Sequence, residues 1–505
     1  MKLLARLFIF SFLLNSVTVW ASPLPKTKKI FKLYVSHFEN VLGTSMEIKI
    51  KAGSEKQAAV AEAAAIKEIE RLSVILSGYD SNSEFSKWMK TSNEAKHISP
   101  ELFEVLNLFD QWKLRSGGAL DASAQVINKL WKEAAAKQTL PTQKEMNNAV
   151  AQVQSKHWVL DVSTQTAKHL NNAPLMLNSF AKSYIIKHAA DAAMAVDEVN
   201  AAVVNIGGDI VVAGNQKETV QISDPKADAE NDASLDKVLI SNKAIATSGN
   251  YRRGELINGK WYSHIIDPRT GLPAGNVISA TVVSPKATDA GALATAFNVL
   301  SPEESIQLAS TIPGTDYMII TKDGERIASE GWEALKIPAD KKTKPVVAKP
   351  DQWNTDYELV VNLELAQLPG FTRRPFVAVW VADPDKNPVR TLTVWFNKDR
   401  WLHELRAWYS ACFSKVSADA AGIGSVSGAT RSAGKYSLKW DGKDDKGNYV
   451  KPGRYTIFIE AAREHGTYQI LSEEMNLSGK PQSTTLNGGV EVASASIDYR
   501  KKAAN

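Results

Sequence analysis

Between Ala244 and Gly271 the chain reads Ala246-Thr247-Ser248-Gly249-Asn250-Tyr251-Arg252-Arg253, then Ser263-His264-Ile265-Ile266-Asp267-Pro268-Arg269-Thr270-Gly271. Hydroxyls such as those of Thr247 and Ser248, joined by backbone amides of glycine-rich turns, can hold phosphate oxygens. Arg252 and Arg253 can neutralise them. His264 beside such a site is a candidate proton acceptor. Alternating with Ile265 in a strand, it is equally readable as a satisfied structural histidine. Three more segments share this character: Gly43-Thr44-Ser45-Met46, Gly117-Gly118-Ala119-Leu120-Asp121, and Val204-Asn205-Ile206-Gly207-Gly208-Asp209-Ile210. Taken alone, Gly207-Gly208 between two apolar runs reads as a hairpin turn. Asp267 to Gly271 reads as a turn with proline pre-setting φ.

The order and wording of these motifs, from about residue 38 to 335, resemble the FAD:protein FMN transferases of the ApbE type. Ala244 to Gly271 carries the resemblance most specifically. Tyr79-Asp80 with Ser83-Glu84 and the run Ala292-Leu293-Ala294-Thr295-Ala296 fall in family order too. The resemblance implies a mixed sheet with flanking helices. It also implies a reaction: FAD is bound with Mg²⁺, its pyrophosphate is split, FMN passes to a Ser or Thr hydroxyl of an acceptor protein, and AMP leaves. That chemistry needs a cation across the pyrophosphate, an aligned nucleophile and a base. By the same resemblance, Met46, Tyr79, Ala119, Leu120, Asp121, Met176, Lys182, Thr247, Ser248, Arg252 and Ile266 fall at flavin-nucleotide positions. Ser179 and Thr295 fall at metal positions, and His264 is the base that deprotonates the acceptor hydroxyl.

Three residues depart from the family wording. Met176 stands where the family has an FAD-contacting aspartate, and Ser183 where it has a glycine. Gly291 stands where it has a metal-binding aspartate. The nearest carboxylate is Asp289. Two residues turn a helix by about 200°, so Asp289 inside a helix faces away, whereas in a preceding loop it can reach the metal. Asp289 is therefore carried as the third metal candidate, and FAD binding is better supported than transfer.

A second motif, Ser427-Gly428-Ala429-Thr430, lies in a stretch rich in Gly, Ser and Ala from Ala420 to Gly434. Read plainly, it is a flexible surface loop. It also resembles the acceptor motif these transferases modify, with Thr430 taking FMN as a phosphoester. Many such motifs carry an aspartate where this chain has Gly424.

The elements that must position these residues are mixed. Ser54 to Leu76, Pro100 to Trp112 and Asn178 to Val199 read as helices, the first with Ile66, Ile69, Leu72 and Leu76 on one stripe. Ala202 to Ile206, Ile210 to Ala213, Val238 to Ile240 and Val277 to Ser284 read as strands. Without regular βαβ alternation, the fold class is α+β. Lys336 to Pro350 reads as a linker. Beyond it, Tyr357 to Leu363, Pro375 to Val381, Arg390 to Phe396 and Tyr455 to Glu460 alternate as strands, which predicts an all-β Ig-like sandwich. Trp440-Asp441-Gly442 onward resembles Ig-like repeats of flagellar hook-capping proteins. The tryptophans there, Trp380, Trp395, Trp401, Trp408 and Trp440, read as core. Arg500 to Asn505 reads as frayed.

The chain has 505 residues, 44% hydrophobic and 23% charged, which excludes a mainly disordered or fibrous protein. Its net charge of +5 is too small for a nucleic-acid footprint. The single cysteine, Cys412, permits no internal disulfide and no Cys-rich metal cluster, and reads as a small buried hydrophobe. Lys2 and Arg6, the apolar run Leu7 to Leu14 and Val19-Trp20-Ala21 have the layout of a secretory signal, too short for a membrane span of about 20 residues. The expected organisation is a signal peptide at 1–21, a transferase domain at 22–335, a linker at 336–350 and a β-sandwich acceptor domain at 351–499. The protein is expected to be exported, periplasmic in a Gram-negative cell, with no transmembrane span. Its expected partners are a flavin nucleotide and its own C-terminal domain or another exported acceptor. The alternative is a catalytically degenerate flavin-binding protein serving electron transfer. A bare adhesion or scaffold role does not account for Ala244 to Gly271.

Overall fold

The computed structural model describes residues 30–337 and 351–502, apart from 233, 252, 369–373, 397–398, 414–426, 429, 432 and 465. The expected signal peptide, most of the expected linker, Arg252, Gly424 and Ala429 lie outside the described residues.

An eight-stranded sheet forms the centre of the first domain. Its strands run in the order Lys32–Val41, Thr44–Ala52, Val199–Ile206, Asp209–Gly214, Ala244–Gly249, Val277–Ser284, Asp316–Thr321 and Arg326–Ala328. Every pairing in it is antiparallel, so the expected mixed sheet is corrected to an antiparallel one. Short hairpins account for part of this. Gly207 and Gly208 both take positive φ, 60° and 96°, which lets Ile206 pair directly with Asp209 across a tight turn.

One sheet face packs on the helices Glu55–Leu76, Ala181–Met194 and Ala287–Val299. The Ser54 hydroxyl accepts from the Gln57 amide and caps the first of these. The helix expected over Asn178 to Val199 is shorter. Asn178 to Phe180 form a turn, and Val199 already pairs with Ala52 as a strand. The other face carries a smaller core with Val203, Ile245, Met318 and Trp332. Lys336 and Ile337, expected in the linker, are bound to the first domain: the Ile337 amide donates to the Lys237 carbonyl at 2.9 Å.

The C-terminal region is rich in β-strands. A four-stranded and a five-stranded sheet share one core that includes Leu359, Val379, Trp395, Trp440 and Ile459. Trp380, Trp395, Trp408 and Trp440 are buried, and Trp401 is partly so. Cys412 is a buried free thiol. The last strand, Val492–Lys501, runs through Arg500, which pairs with Glu358, so Arg500 and Lys501 are held in the sheet and not frayed as expected.

The two domains touch along a polar seam. The Glu230 amide donates to the Ser437 carbonyl at 2.9 Å. Asn231 exchanges two hydrogen bonds with the Lys439 backbone, at 2.7 and 2.8 Å. Lys439 pairs with Asp228 and, at 3.5 Å, with Asp232. Gly434–Trp440, which these residues cover, is the edge strand of the four-stranded sheet. Elsewhere His37 packs edge-on against Phe396 at 5.7 Å. No described helix is long and apolar enough to cross a membrane.

Candidate active site

The start of the helix Ala181–Met194 gathers several of the sequence-selected residues. No side chain caps this helix, so its first backbone amides are free of that competitor. The Thr295 hydroxyl donates toward the carbonyls of Ser179 (3.2 Å) and Gly291 (3.1 Å), which joins the two metal candidates. Asn178 Nδ2 donates to the Tyr79 hydroxyl at 2.7 Å and brings the exposed Tyr79 loop alongside. The Met176 amide donates to the Ala122 carbonyl at 2.8 Å, which sets the 119–122 segment against the same turn. Lys182 lies close enough to Asp209 to act on its carboxyl electrostatically. Hydroxyl and carbonyl oxygens of this kind suit a hard divalent cation.

Asp289 is in the first turn of the helix Ala287–Val299, not in a loop before it. It lines a separate recess of about 860 Å³ with Arg115, Lys286 and Arg269, and burial raises its pKa. Neither Ser179 nor Thr295 lines that recess.

Thr247 lines another cavity, of about 520 Å³, with Asn205, Gly207, Gly208, Tyr251 and Arg253. Its hydroxyl is shared with Thr281 at 2.9 Å. The Ser248 carbonyl accepts from Asn298 Nδ2 at 3.0 Å. Met46, Leu120 and Ile266 are buried in hydrophobic clusters, and their side chains support rather than line an open surface. Ala119 is buried with them. Asp121 accepts from the Ser123 amide and pairs with Lys113 at 2.6 Å, a structural engagement that orders the segment.

His264 follows the strand Lys260–Ser263 rather than sitting within it. Its Nδ1 lies 3.0 Å from the Arg253 carbonyl, which can only accept, so Nδ1 carries the proton and Nε2 is the basic nitrogen. Burial, with Arg253 and Lys132 nearby, lowers its pKa from the usual 6.5, so it is neutral at pH 7. That is the protonation state a general base requires.

In the second domain, Ser427–Gly428 forms a short strand parallel to Val394–Trp395. Thr430 is only 1% exposed, which corrects the plain reading of a free surface loop at this residue. Its carbonyl accepts from Arg374 Nη1 at 3.4 Å, while Arg374 Nη2 donates to Asn40 Oδ1 of the first domain at 3.1 Å. Arg431 lies over the Trp395 ring and pairs with Glu230 at 3.2 Å.

The sequence reading passed over Asp209 as an individual group. Its carboxylate accepts from the Ser183 hydroxyl at 3.3 Å, and burial raises its pKa. The signal available was its place directly after Gly207-Gly208.

The chain is 28% identical over 287 residues to the FAD:protein FMN transferase of Vibrio cholerae, covering 56% of this chain and 83% of that one. It is 30% identical over 266 residues to the FAD:protein FMN transferase of Escherichia coli K12, covering 50% and 74%. The crystal structure of the ApbE protein from Thermotoga maritima superposes with a TM-score of 0.54 at 25% identity, covering 61% of this chain and all of that one. The apo flavinyl transferase ApbE of Pseudomonas stutzeri shares the fold, with a TM-score of 0.51 at 20% identity. Residues 358–494 match a family described as predicted periplasmic protein, DUF2271. The ApbE family matches residues 42–319, and since these make up more than half of its length, the chain belongs to that family.

Proposed function

We propose that the protein transfers FMN from FAD to a threonine or serine hydroxyl, with Thr430 of its own C-terminal domain as acceptor. The observation that carries this reading is the meeting of Thr295 and Ser179 at the uncapped start of the helix bearing Lys182, in a chain of this family. That helix start and Lys182 hold the pyrophosphate of FAD. Tyr79, Thr247, Ser248 and the backbone around Ala119 to Asp121 hold the rest of the nucleotide, with Arg252 as a further cation. Met46, Met176 and Ile266 shape the surrounding packing.

His264 Nε2 takes the proton from the acceptor hydroxyl. The acceptor oxygen forms a bond to the FMN phosphorus, the bond from that phosphorus to the bridging oxygen breaks, and AMP leaves with the electron pair. Mg²⁺ held near Ser179 and Thr295 neutralises charge on the pyrophosphate when bound. The protein acts outside the cytoplasm, in the periplasm of a Gram-negative cell, and the attached FMN serves electron transfer.

A second reading is favoured by Gly291, which supplies no carboxylate to the cation: the domain binds flavin without transferring it. The intact mass of the mature chain after incubation with FAD and Mg²⁺ separates the two. A covalent FMN that is absent from Thr430→Val supports transfer. Tightly bound flavin with no covalent adduct overturns transfer and leaves the second reading.

A further inference from the structure

His264 stands at the root of a hairpin. Strands Gly254–Ile257 and Lys260–Ser263 pair antiparallel across the turn Asn258-Gly259, with Leu256 opposite Trp261. Arg253, whose carbonyl holds His264 Nδ1, comes just before the first strand, and His264 just after the second. One hairpin face is packed: Ile257 lies in a core with Ile127 and Trp131, and the Tyr262 ring is 5.0 Å from that of Trp131. Alternation sends Leu256 and Trp261 to the other face, where they are 56% and 47% exposed.

The Trp261 ring lies across Gly254, where a Cβ would come within 2.8 Å of Trp261 Cζ2. The missing side chain at 254 thus lets the indole lie toward the hairpin root, the end that carries His264. The two edges of the hairpin differ. Gln138 covers that of the first strand: its Nε2 donates to the Leu256 carbonyl and its Oε1 accepts from the Asn258 amide, both at 2.9 Å. The outer edge of Lys260–Ser263 has no strand partner among the described residues. An exposed indole beside an open strand edge suits an extended peptide, which gives its main chain to the edge and its side chains to the ring.

The segment carrying Thr430 is held in its own domain by the same two features. Ser427–Gly428 is the end strand of the five-stranded sheet, paired with Val394–Trp395, and the Arg431 guanidinium lies 5.2 Å from the centre of the Trp395 ring. We propose that the outward face of the hairpin, Trp261 with Leu256 and the edge of Lys260–Ser263, is the docking surface for the acceptor segment, residues 427–431, which exchanges Trp395 for Trp261. The edge runs directly into His264, so a segment paired along it brings Thr430 to the base. Gly428 and Ala429 have no bulk to hold the backbone off the indole. This inference rests on the proposed reading of His264 and Thr430, and adds to it the surface that selects the acceptor.

The test uses a fluorescein-labelled peptide of residues 424–433 and the mature full-length chain carrying Thr430→Val, titrated without FAD and read by fluorescence anisotropy. Trp261→Ala should weaken peptide binding at least about tenfold, as loss of a tryptophan anchor does. Leu256→Glu, on the same face, should weaken it severalfold. Val74→Ala, an exposed apolar residue of the helix Glu55–Leu76, should leave it unchanged. With FAD and Mg²⁺ added, transfer to the peptide, read by mass, should show a raised KM for Trp261→Ala with kcat kept at saturating peptide. A fall in kcat alone would make Trp261 a support of the hairpin and overturn the docking surface. A peptide that fails to bind the parent chain, or binds Trp261→Ala and Leu256→Glu with full affinity, overturns it too. So does a Trp261→Ala chain that loses only self-association on size exclusion, which would give the face to a second copy. A peptide that binds through Trp261 yet receives no FMN leaves the docking surface standing and removes the transferase reading, so the two failures are distinct.

Discussion

His264 and Thr430, the two groups that must exchange a proton in the proposed reaction, sit in opposite settings. His264 is exposed, tethered by one ring nitrogen, with its basic nitrogen directed away from that tether. Thr430 is buried, its carbonyl held by an arginine that also grips the first domain. A base is useful only where a substrate can reach it, whereas an acceptor that must be threaded into a cleft can be stored folded. On the proposed reading, the contrast makes chemistry in the first domain and release of the segment in the second two separate steps, each open to its own substitution.

The largest effect expected is that of Thr430→Val, which should abolish the covalent FMN seen by intact mass while FAD binding, followed by fluorescence, persists. His264→Ala should slow adduct formation roughly 10²–10⁴-fold, the usual contribution of a positioned base. An adduct formed at the normal rate in that variant would remove His264 from the chemistry.

The pH dependence carries a definite sign. His264 works as a base only when neutral, and its pKa is lowered by burial and by Arg253 and Lys132. The transfer rate should therefore stay level through neutral pH. It should fall about tenfold per unit only on the acid side of the usual value near 6.5. An acid limb centred above that value would contradict the lowered pKa of the ring.

The smallest effect expected is that of Arg374→Ala. Losing its hydrogen bonds to Thr430 and Asn40 should free the acceptor segment by about 1 kcal/mol, a severalfold faster adduct formation with unchanged FAD affinity. A slower reaction would show that Arg374 presents the segment rather than stores it.

Local features were legible in the sequence. The stripe of Ile66, Ile69, Leu72 and Leu76 announced the helix over Glu55–Leu76, and Gly207-Gly208 announced a hairpin. The shortened third helix was not, because the apolar spacing from Phe180 onward continues past the point where Val199 finds a strand partner in Ala52. Antiparallel pairing across eight strands was equally hidden, since a period of two marks a strand but not its neighbours. Ser183 and Gly291 each looked like a separate loss. Only folding sets them together, the Ser183 hydroxymethyl filling the space that a side chain at 291 would need. The burial of Thr430 was invisible for the same reason: small neighbours read as a loose loop until the strand Val394–Trp395 and Arg374 are placed around them.

The seam at Asp228 to Asp232 has a consequence for the second domain as a unit. Strand Gly434–Trp440 ends its sheet, and an uncovered sheet edge is a template for pairing with other chains. The loop of the first domain occupies part of that edge, with the Glu230 amide on the Ser437 carbonyl and Asn231 bonded to the Lys439 backbone. The transferase domain thus serves its neighbour as a guard against self-association. Residues 351–502 produced alone should oligomerise through this strand, visible by size-exclusion chromatography, and the intact chain should be the less prone to aggregate.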